Sequence, residues 1–341
     1  MRKLATIRKI SDVSPIPNAD RIEVVTVDGW AVVAKKGEFA VGDACVYFEI
    51  DSFLPVEDRY EFLRASSFRK MSYGDGFRLK TIRFRKQISQ GLALPVSSFP
   101  ELSFGVEHQD VTELLGVQLY EPPIPACLQG EIIGMFPSFM SKTDQERIQN
   151  IPEWFERYKD VTFETTVKLD GTSCTVYQKG DEFGVCGRNL NYIETEGNTY
   201  WKVANALNLR ERMAKIGNFA IQGEIIGEGI NKNNEEIRGQ AFYLFDIFDI
   251  DKYKYLDPHQ RAIVLAELNE TGPEILTAPV IAIHKVLQEY PDVASILEFA
   301  RGMSLNPKKS REGIVCKGRT EAQHIISFKV ISNHYLLKHG E

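Results

Sequence analysis

Ionisable side chains stand inside runs that otherwise read as buried strands, and this narrows the possible folds more than any other feature of the chain. In FETTVKLDGTSCTVY (163–177), Phe163, Thr165 and Val167 alternate with Glu164, Thr166, Lys168 and Asp170. A period of two sets Glu164, Lys168 and Asp170 on one side of a strand. Glu224 lies in IQGEIIGEG, Arg188 in VCGRNLNY, Glu312 in REGIVCKG and Lys329 in ISFKVIS. An ionised group within a mostly buried strand is costly unless it is paired or has a task. One such residue can be a core ion pair. Two lysines, two glutamates and an arginine suggest a pocket that handles a polyanion and a metal. For 163–177 taken alone, a half-exposed strand with a solvated charged face is the other reading.

A chain of 341 residues, 43% hydrophobic and 26% charged, is long enough for two soluble globular domains. No apolar run reaches the length of a membrane span, and MRKLATIRKISDV lacks the apolar core of a signal peptide, so no membrane partner is expected. Cys45, Cys127, Cys174, Cys186 and Cys316 are scattered, without a C-x-x-C or nearby histidine pairs. That argues against zinc and for a reducing, cytoplasmic setting. The net charge of −6 confines any nucleic-acid surface to a local patch. Residues 59–87 supply one, with nine Lys or Arg against two acids, interleaved with Tyr60, Phe62, Phe68, Tyr73, Phe77 and Phe84. Cations that neutralise phosphates and aromatics that stack on bases suit a nucleic-acid strand, with Arg78, Lys80, Arg83 and Arg85 as the candidate contacts. An ordinary strand pair, aromatics inward and charges outward, is the alternative.

Residues 1 to about 100 read as short strands between turn signals, with Asp28-Gly29 fitting a tight hairpin. Such a pattern predicts an all-β barrel of the OB type. The proline-rich YEPPIPACLQG (120–130) marks a connection, giving expected domains at 1–118 and 119–341. SKTDQERIQNIPEWFERY has helical periodicity, with Thr143 or Asp144 as cap. Beyond Val161 strands such as FAIQGEIIG and AFYLFDIFDI mix with helices at 201–217, HQRAIVLAELNE and PDVASILEFARGM, before the closing strands EGIVCKG and HIISFKVIS. The second domain is therefore α+β rather than a regular βαβ alternation.

KLDG (168–171), GEIIG (223–227), YLFDIF (243–248), EGIVCK (312–317) and SFK (327–329) fall in the order of motifs I, III, IIIa, IV and V of the covalent nucleotidyltransferases. The chain thus resembles the superfamily of DNA ligases, RNA ligases and mRNA capping enzymes. The resemblance implies a C-terminal α+β nucleotidyltransferase domain of the ATP-grasp-like ligase type. It also implies a catalytic set of Lys168, Glu224 and Lys329, with Lys168 carrying AMP, Lys329 on the α-phosphate and Glu224 on the ribose or a metal-bound water. Glu312, joined by Asp170, would hold Mg²⁺ or Mn²⁺, chiefly through water. Phe245 would stack on adenine, Val167 and Arg188 would contact the nucleotide, and Arg147 and Lys142 would complete the ATP site. A lysine attacks phosphorus only as the neutral amine, and its ordinary pKa of about 10.4 opposes this at pH 7. Neighbouring cations and a metal are expected to lower it.

Related RNA ligases often carry K-x-K in motif V, where this chain has Ser327 at the first position. Lys317 could substitute. It stands five positions from Glu312, however, and strict alternation turns it away, so a solvent-facing lysine is equally expected. Glu164 could approach the base or form the strand's rim. Capping enzymes and DNA ligases usually place an OB domain after motif V. Here the barrel-like segment is N-terminal, and with GEFAVGDACVYFEIDSFLP, QISQGLALP and KTDQER it resembles an RNA ligase group with an N-terminal OB domain. The implied enzyme is a monomeric, cytoplasmic ATP-dependent RNA ligase that seals 5′-phosphate and 3′-OH ends, at nicks in RNA or RNA/DNA duplexes. A DNA or repair ligase, and a non-catalytic RNA-binding protein on the same scaffold, are the alternatives.

Overall fold

The computed structural model describes residues 2–84, 87–102, 106–121 and 130–339. It divides into two compact units, Met1–Ile124 with Asn333–Glu341, and Pro125–Ser332. Most of the proline-rich connection lies outside the described residues, as do Arg85 and Cys127.

In the first unit, β-branched runs build antiparallel strands, as expected. Ala5–Lys9 and Leu92–Pro95 flank Ala44–Phe48, while Asp12–Pro15, Ile22–Val27 and Trp30–Lys35 form a meander. Val27 pairs with Trp30 across Asp28-Gly29, whose φ values of 47° and 80° are those of the expected tight turn. A further sheet joins Gln118–Leu119, Ser52–Pro55, Gly74–Arg78 and Phe68–Met71. Trp30, Phe48, Tyr60, Phe77 and Phe99 fill the interior. The closing helix Asn333–His339 belongs to this unit, where Arg83 donates to the Leu337 carbonyl. The expected division at 118/119 assigns that helix to the second domain.

The second unit is α+β and holds two sheets. The larger runs Ile132–Met135, Leu190–Tyr192, Glu182–Cys186, Thr172–Lys179, Phe219–Gly227, Gln240–Asp249 and Lys254–Tyr255. The smaller runs Glu146–Arg147, Ile325–Ile331, Gly313–Arg319, Phe163–Lys168 and Val280–His284. Each has its own core. Trp201, Leu209, Met213 and Leu268, from three helices, pack with Val176, Ile221 and Leu244 of the larger sheet. Val286, Leu287 and Ile296 pack with Phe163, Ile314 and Phe328 of the smaller.

Two expected helices differ. The 201–217 helix is two, Thr199–Ala206 and Leu209–Ile216, broken where Asn208 takes a φ of 51°. The 141–158 segment is mostly not helical: Glu146–Arg147 is extended, Ile148–Asn150 is a 3-10 turn, and only Trp154–Arg157 is α-helix. The edge of the smaller sheet supplies the backbone partners a helix would have made internally, and Ile148 is fully buried in that sheet's core. Among the described residues no helix is long and apolar enough to cross a membrane.

Candidate active site

The chain passes from the smaller sheet to the larger through Leu169-Asp170-Gly171, between strands Phe163–Lys168 and Thr172–Lys179. That corner presses against the Glu224 strand. A β-carbon on Gly171 would fall 2.3 Å from the Ile225 carbonyl oxygen and 2.8 Å from Glu224 Cγ, so only glycine closes it. Lys168 pairs with Gly313, which sets Glu312 beside the lysine, and Val315 pairs with Lys329 on the next strand. Lys168 Nζ donates to Glu312 Oε2 at 2.5 Å. A cavity of about 370 Å³ opens here, lined by Val167, Lys168, Asp170, Glu224, Glu312 and Lys329 together with Arg188, Phe245 and Lys317.

Its charges are sorted by sign. Burial pushes Lys168 down, but Glu312, Glu224 and Asp170 outweigh it and hold the ammonium above the usual lysine range. This is the direction with no cation bound, whereas the expected lowering includes a metal beside the lysine. Glu224 is pushed up to about 7, chiefly by burial, with Glu312 and Asp170 adding to it against Lys168. Lys329 is pushed down to about 8 by burial, then by Lys168, Arg147 and Arg188, against Asp144. Carboxylates thus gather around Lys168, and cations around Lys329. Oxygen donors of this kind fit a hard divalent cation. Among the described residues, however, no three His, Cys, Asp or Glu side chains stand close enough to hold an ion by themselves. The set fits Mg²⁺ or Mn²⁺ that keeps much of its water.

Residues 161–331 match the RNA ligase family model, and residues 4–96 match that of an OB-fold domain. Solved structures of Naegleria gruberi RNA ligase align over the whole chain. A lysine-to-methionine variant with AMP and Mn shares 47% identity at a TM-score of 0.85, covering 99% of each chain. The form with PPi shares 47% at 0.84, again over 99% of each, and a glutamate-to-alanine variant with ATP and Mn shares 47% at 0.83 over 100% of each. No curated protein matches the chain. The chain belongs to the RNA ligase family.

In this ligase Lys317 is not solvent-facing. Glu312 precedes the first paired residue of Gly313–Arg319, so alternation along the strand does not govern it, whereas Val315 and Lys317 share the cavity face. Lys317 Nζ is buried, 2.7 Å from Asp246 Oδ2, and donates to the Phe245 carbonyl at 2.8 Å. Pairing slips between Gln222 and Gly223, opposite Asp246 and Leu244, leaving Phe245 as the extra residue of a bulge. Its ring lines the cavity, with Lys317 Nζ 5.1 Å from the ring centroid. Glu164 is neither rim nor lining. It is buried and paired with Arg261, which also donates to the Phe245 carbonyl at 3.3 Å. Arg188 is not in a buried strand as expected but exposed in the turn between Glu182–Cys186 and Leu190–Tyr192, from which it reaches the lining and pairs with Asp144 at 2.8 Å. Arg147 is buried, its backbone beside Lys329, and Lys142 is exposed on Asn189 Oδ1 at 3.0 Å; neither is among the lining residues.

The basic segment of the ligase is only partly exposed and only partly free of ion pairs. Tyr60 and Phe77 are core residues, while Phe62, Tyr73 and Phe84 are exposed. Arg59 is engaged by Glu57 and Glu101, and Arg64 by Glu61. The Arg78 guanidinium lies 4.3 Å over the Tyr120 ring and 3.3 Å from Asp51 Oδ1, and Lys80 is exposed. Sequence reasoning did not find Asn231, which lines the cavity and donates from Nδ2 to Asp170 Oδ1 at 2.7 Å. It stands in the polar run INKNNEEI, which has no periodicity to single it out.

Proposed function

We propose that this ATP-dependent RNA ligase joins a 5′-phosphate to an RNA 3′-OH through AMP carried on Lys168. The observation that carries the reading is the cavity's polarity, with carboxylates around the Lys168 amine and cations around Lys329. Lys168 Nζ, once deprotonated, attacks the α-phosphorus of ATP; the N–P bond forms and the bond to pyrophosphate breaks. A 5′-phosphate oxygen then attacks the same phosphorus, and Lys168 leaves as the amine, which takes up a proton. Finally the 3′-OH attacks the 5′-phosphorus and AMP departs. Lys329, backed by Arg147 and Arg188, holds the α-phosphate charge. Phe245 offers its ring to adenine, with Val167, Lys317 and, at the outer edge, Lys142 completing the nucleotide site. Glu312 and Asp170 would hold the divalent cation and Glu224 one of its waters. Bound there, the cation supplies positive charge that offsets the carboxylates and the triphosphate. The Naegleria ligase, with ATP and Mn, supports this assignment.

The ligase acts on RNA. Arg78, Lys80, Arg83 and Arg85 would bind the backbone of a nicked duplex, RNA or RNA/DNA. The thiols of Cys45, Cys174, Cys186 and Cys316 are buried and not in disulfides, which suits a reducing compartment; we take the enzyme to be a cytoplasmic monomer that uses no zinc. The test is incubation with Mg²⁺ and α-labelled ATP, followed by a denaturing gel. Label that survives denaturation and vanishes in Lys168→Ala supports the reading. A folded, nucleotide-free wild type that takes no label overturns it. Nicked duplexes with RNA or DNA at the 3′-OH then separate an RNA ligase from a repair ligase of loose sugar preference.

A further inference from the structure

Between the Glu224 strand and the Phe245 strand the chain makes a loop, residues 228–239, that touches both sides of the carboxylate cluster. Asn231 Nδ2 donates to Asp170 Oδ1 at 2.7 Å and to the Gly171 carbonyl at 2.9 Å. Three residues on, Asn234 Nδ2 donates to the Ser310 carbonyl at 3.2 Å, two residues before Glu312. The buried Glu235 carboxylate accepts from Ser304 Oγ and from the Asn306 backbone N–H at 2.8 Å. Lys309 closes on Glu236 at 2.6 Å. Glu312 itself is fixed from the other side, its carbonyl accepting from the Ser332 N–H at 2.9 Å, and the Arg311 guanidinium donates to the Phe299, Ala300 and Arg301 carbonyls.

We propose that the 228–239 loop is a bracket that sets the distance between Asp170 and Glu312, with Asn231 as the positioning residue for Asp170 and with Asn234 and Glu235 anchoring the approach to Glu312. The inference rests on the reading of these two carboxylates as holders of the divalent cation. The loop's backbone turns through left-handed positions: Asn231, Asn233 and Glu236 have φ values of 46°, 45° and 54°. Asparagine takes the left-handed conformation more readily than other residues with a β-carbon, whereas a glutamate keeps it only where surrounding contacts over-determine it. Glu236 is held by Lys309 and Asn306, and Asn231 by its bonds to Asp170 and Gly171. An amide donor on one carboxylate oxygen also fixes which oxygen faces the cation or its water, the role that outer partners play at metal centres.

The left-handed φ makes a clean test possible. Asn231→Gly removes the amide at a position where glycine adopts the same backbone without strain. Mn²⁺ binding to wild type and Asn231→Gly is followed by the loss of the free-ion electron paramagnetic resonance signal, with AMP present. Lysyl–AMP formation is titrated against Mn²⁺ on the same proteins. The expected result is weaker Mn²⁺ binding by about tenfold or more, with labelling restored at saturating Mn²⁺ and the melting temperature held. Asn234→Ala, which acts only through the Ser310 backbone, is expected to move the Mn²⁺ requirement in the same direction by less. Unchanged Mn²⁺ binding in Asn231→Gly, with wild type labelled normally, overturns the bracket. If wild type forms no lysyl–AMP at any Mn²⁺ concentration, the reading of the site itself fails, and the two failures are distinguishable.

Discussion

Lys317 and Asp246 form an ion pair at 2.7 Å with both side chains more than nine-tenths buried. The lysine sits on a strand of the smaller sheet and the aspartate beside the bulge of the larger, so the pair ties the two sheets together behind the Phe245 ring. Burial pulls the Lys317 ammonium below its usual range, against Asp246. Removing one partner leaves an uncompensated charge. Lys317→Met is expected to destabilise the protein by about 3–5 kcal/mol in urea unfolding, and Lys317→Met with Asp246→Leu to recover much of that loss. A double variant as unstable as the single one would show that the pair does more than neutralise itself.

The carboxylates around Lys168 make a prediction about its reactivity. Glu312, Glu224 and Asp170 keep the amine protonated above the ordinary lysine range in the metal-free protein. Acylation of Lys168, followed by mass spectrometry against pH, is therefore expected to lag behind that of surface lysines. Glu312→Gln is expected to move its onset to lower pH. If Lys168 reacts at neutral pH in the wild type, some other group must offset those charges.

Lys329 has the opposite sign of shift. Its pKa of about 8 against the ordinary 10.5 means that the unfolded chain binds the proton more tightly. Stability of the free protein is expected to rise as pH climbs from about 8 towards 10.5, and to gain nothing from Lys329 below 8. Lys329→Met removes this rise and raises the melting temperature near pH 7. If Lys329 grips phosphate, the same substitution weakens ATP binding by roughly 10–100-fold, the range of a lost hydrogen bond to a charged group. Calorimetric titration in parallel with thermal unfolding reads both effects.

Lys80 and Arg83 separate binding from folding in the basic segment. Lys80 is exposed, and Lys80→Ala is expected to lower RNA affinity and reduce the salt slope by about 1 without moving the melting temperature. Arg83 donates to the Leu337 carbonyl in the last turn of the closing helix, so Arg83→Ala is expected to lower the melting temperature as well. Filter binding at two salt concentrations, with thermal scans, distinguishes them. A salt slope that neither variant moves would remove this face from the RNA path.

Much was legible before any coordinates. Alternation of apolar residues located the strands, and turn chemistry placed Asp28-Gly29. Charges set within apolar strands picked out Lys168, Arg188, Glu224, Glu312 and Lys329, because an ionised group in a buried strand needs a reason to be there. Each of these signals is local, carried by a few neighbouring residues along the chain. Tertiary structure decided what local pattern cannot carry. Because Glu312 stands just ahead of its strand, Lys317 keeps the cavity face although strict alternation pointed it away, and the Phe245 carbonyl, at a bulge of the other sheet, accepts from it. Arg261 came from a distant helix to engage Glu164, and Asn231 from a loop without periodicity to hold Asp170. The 141–158 segment gave up most of its helix because a sheet edge offered its backbone other partners. Pairing across the two sheets also sorted the cavity's charges by sign, raising Lys168 and lowering Lys329, since a pKa answers to neighbours in space rather than in sequence.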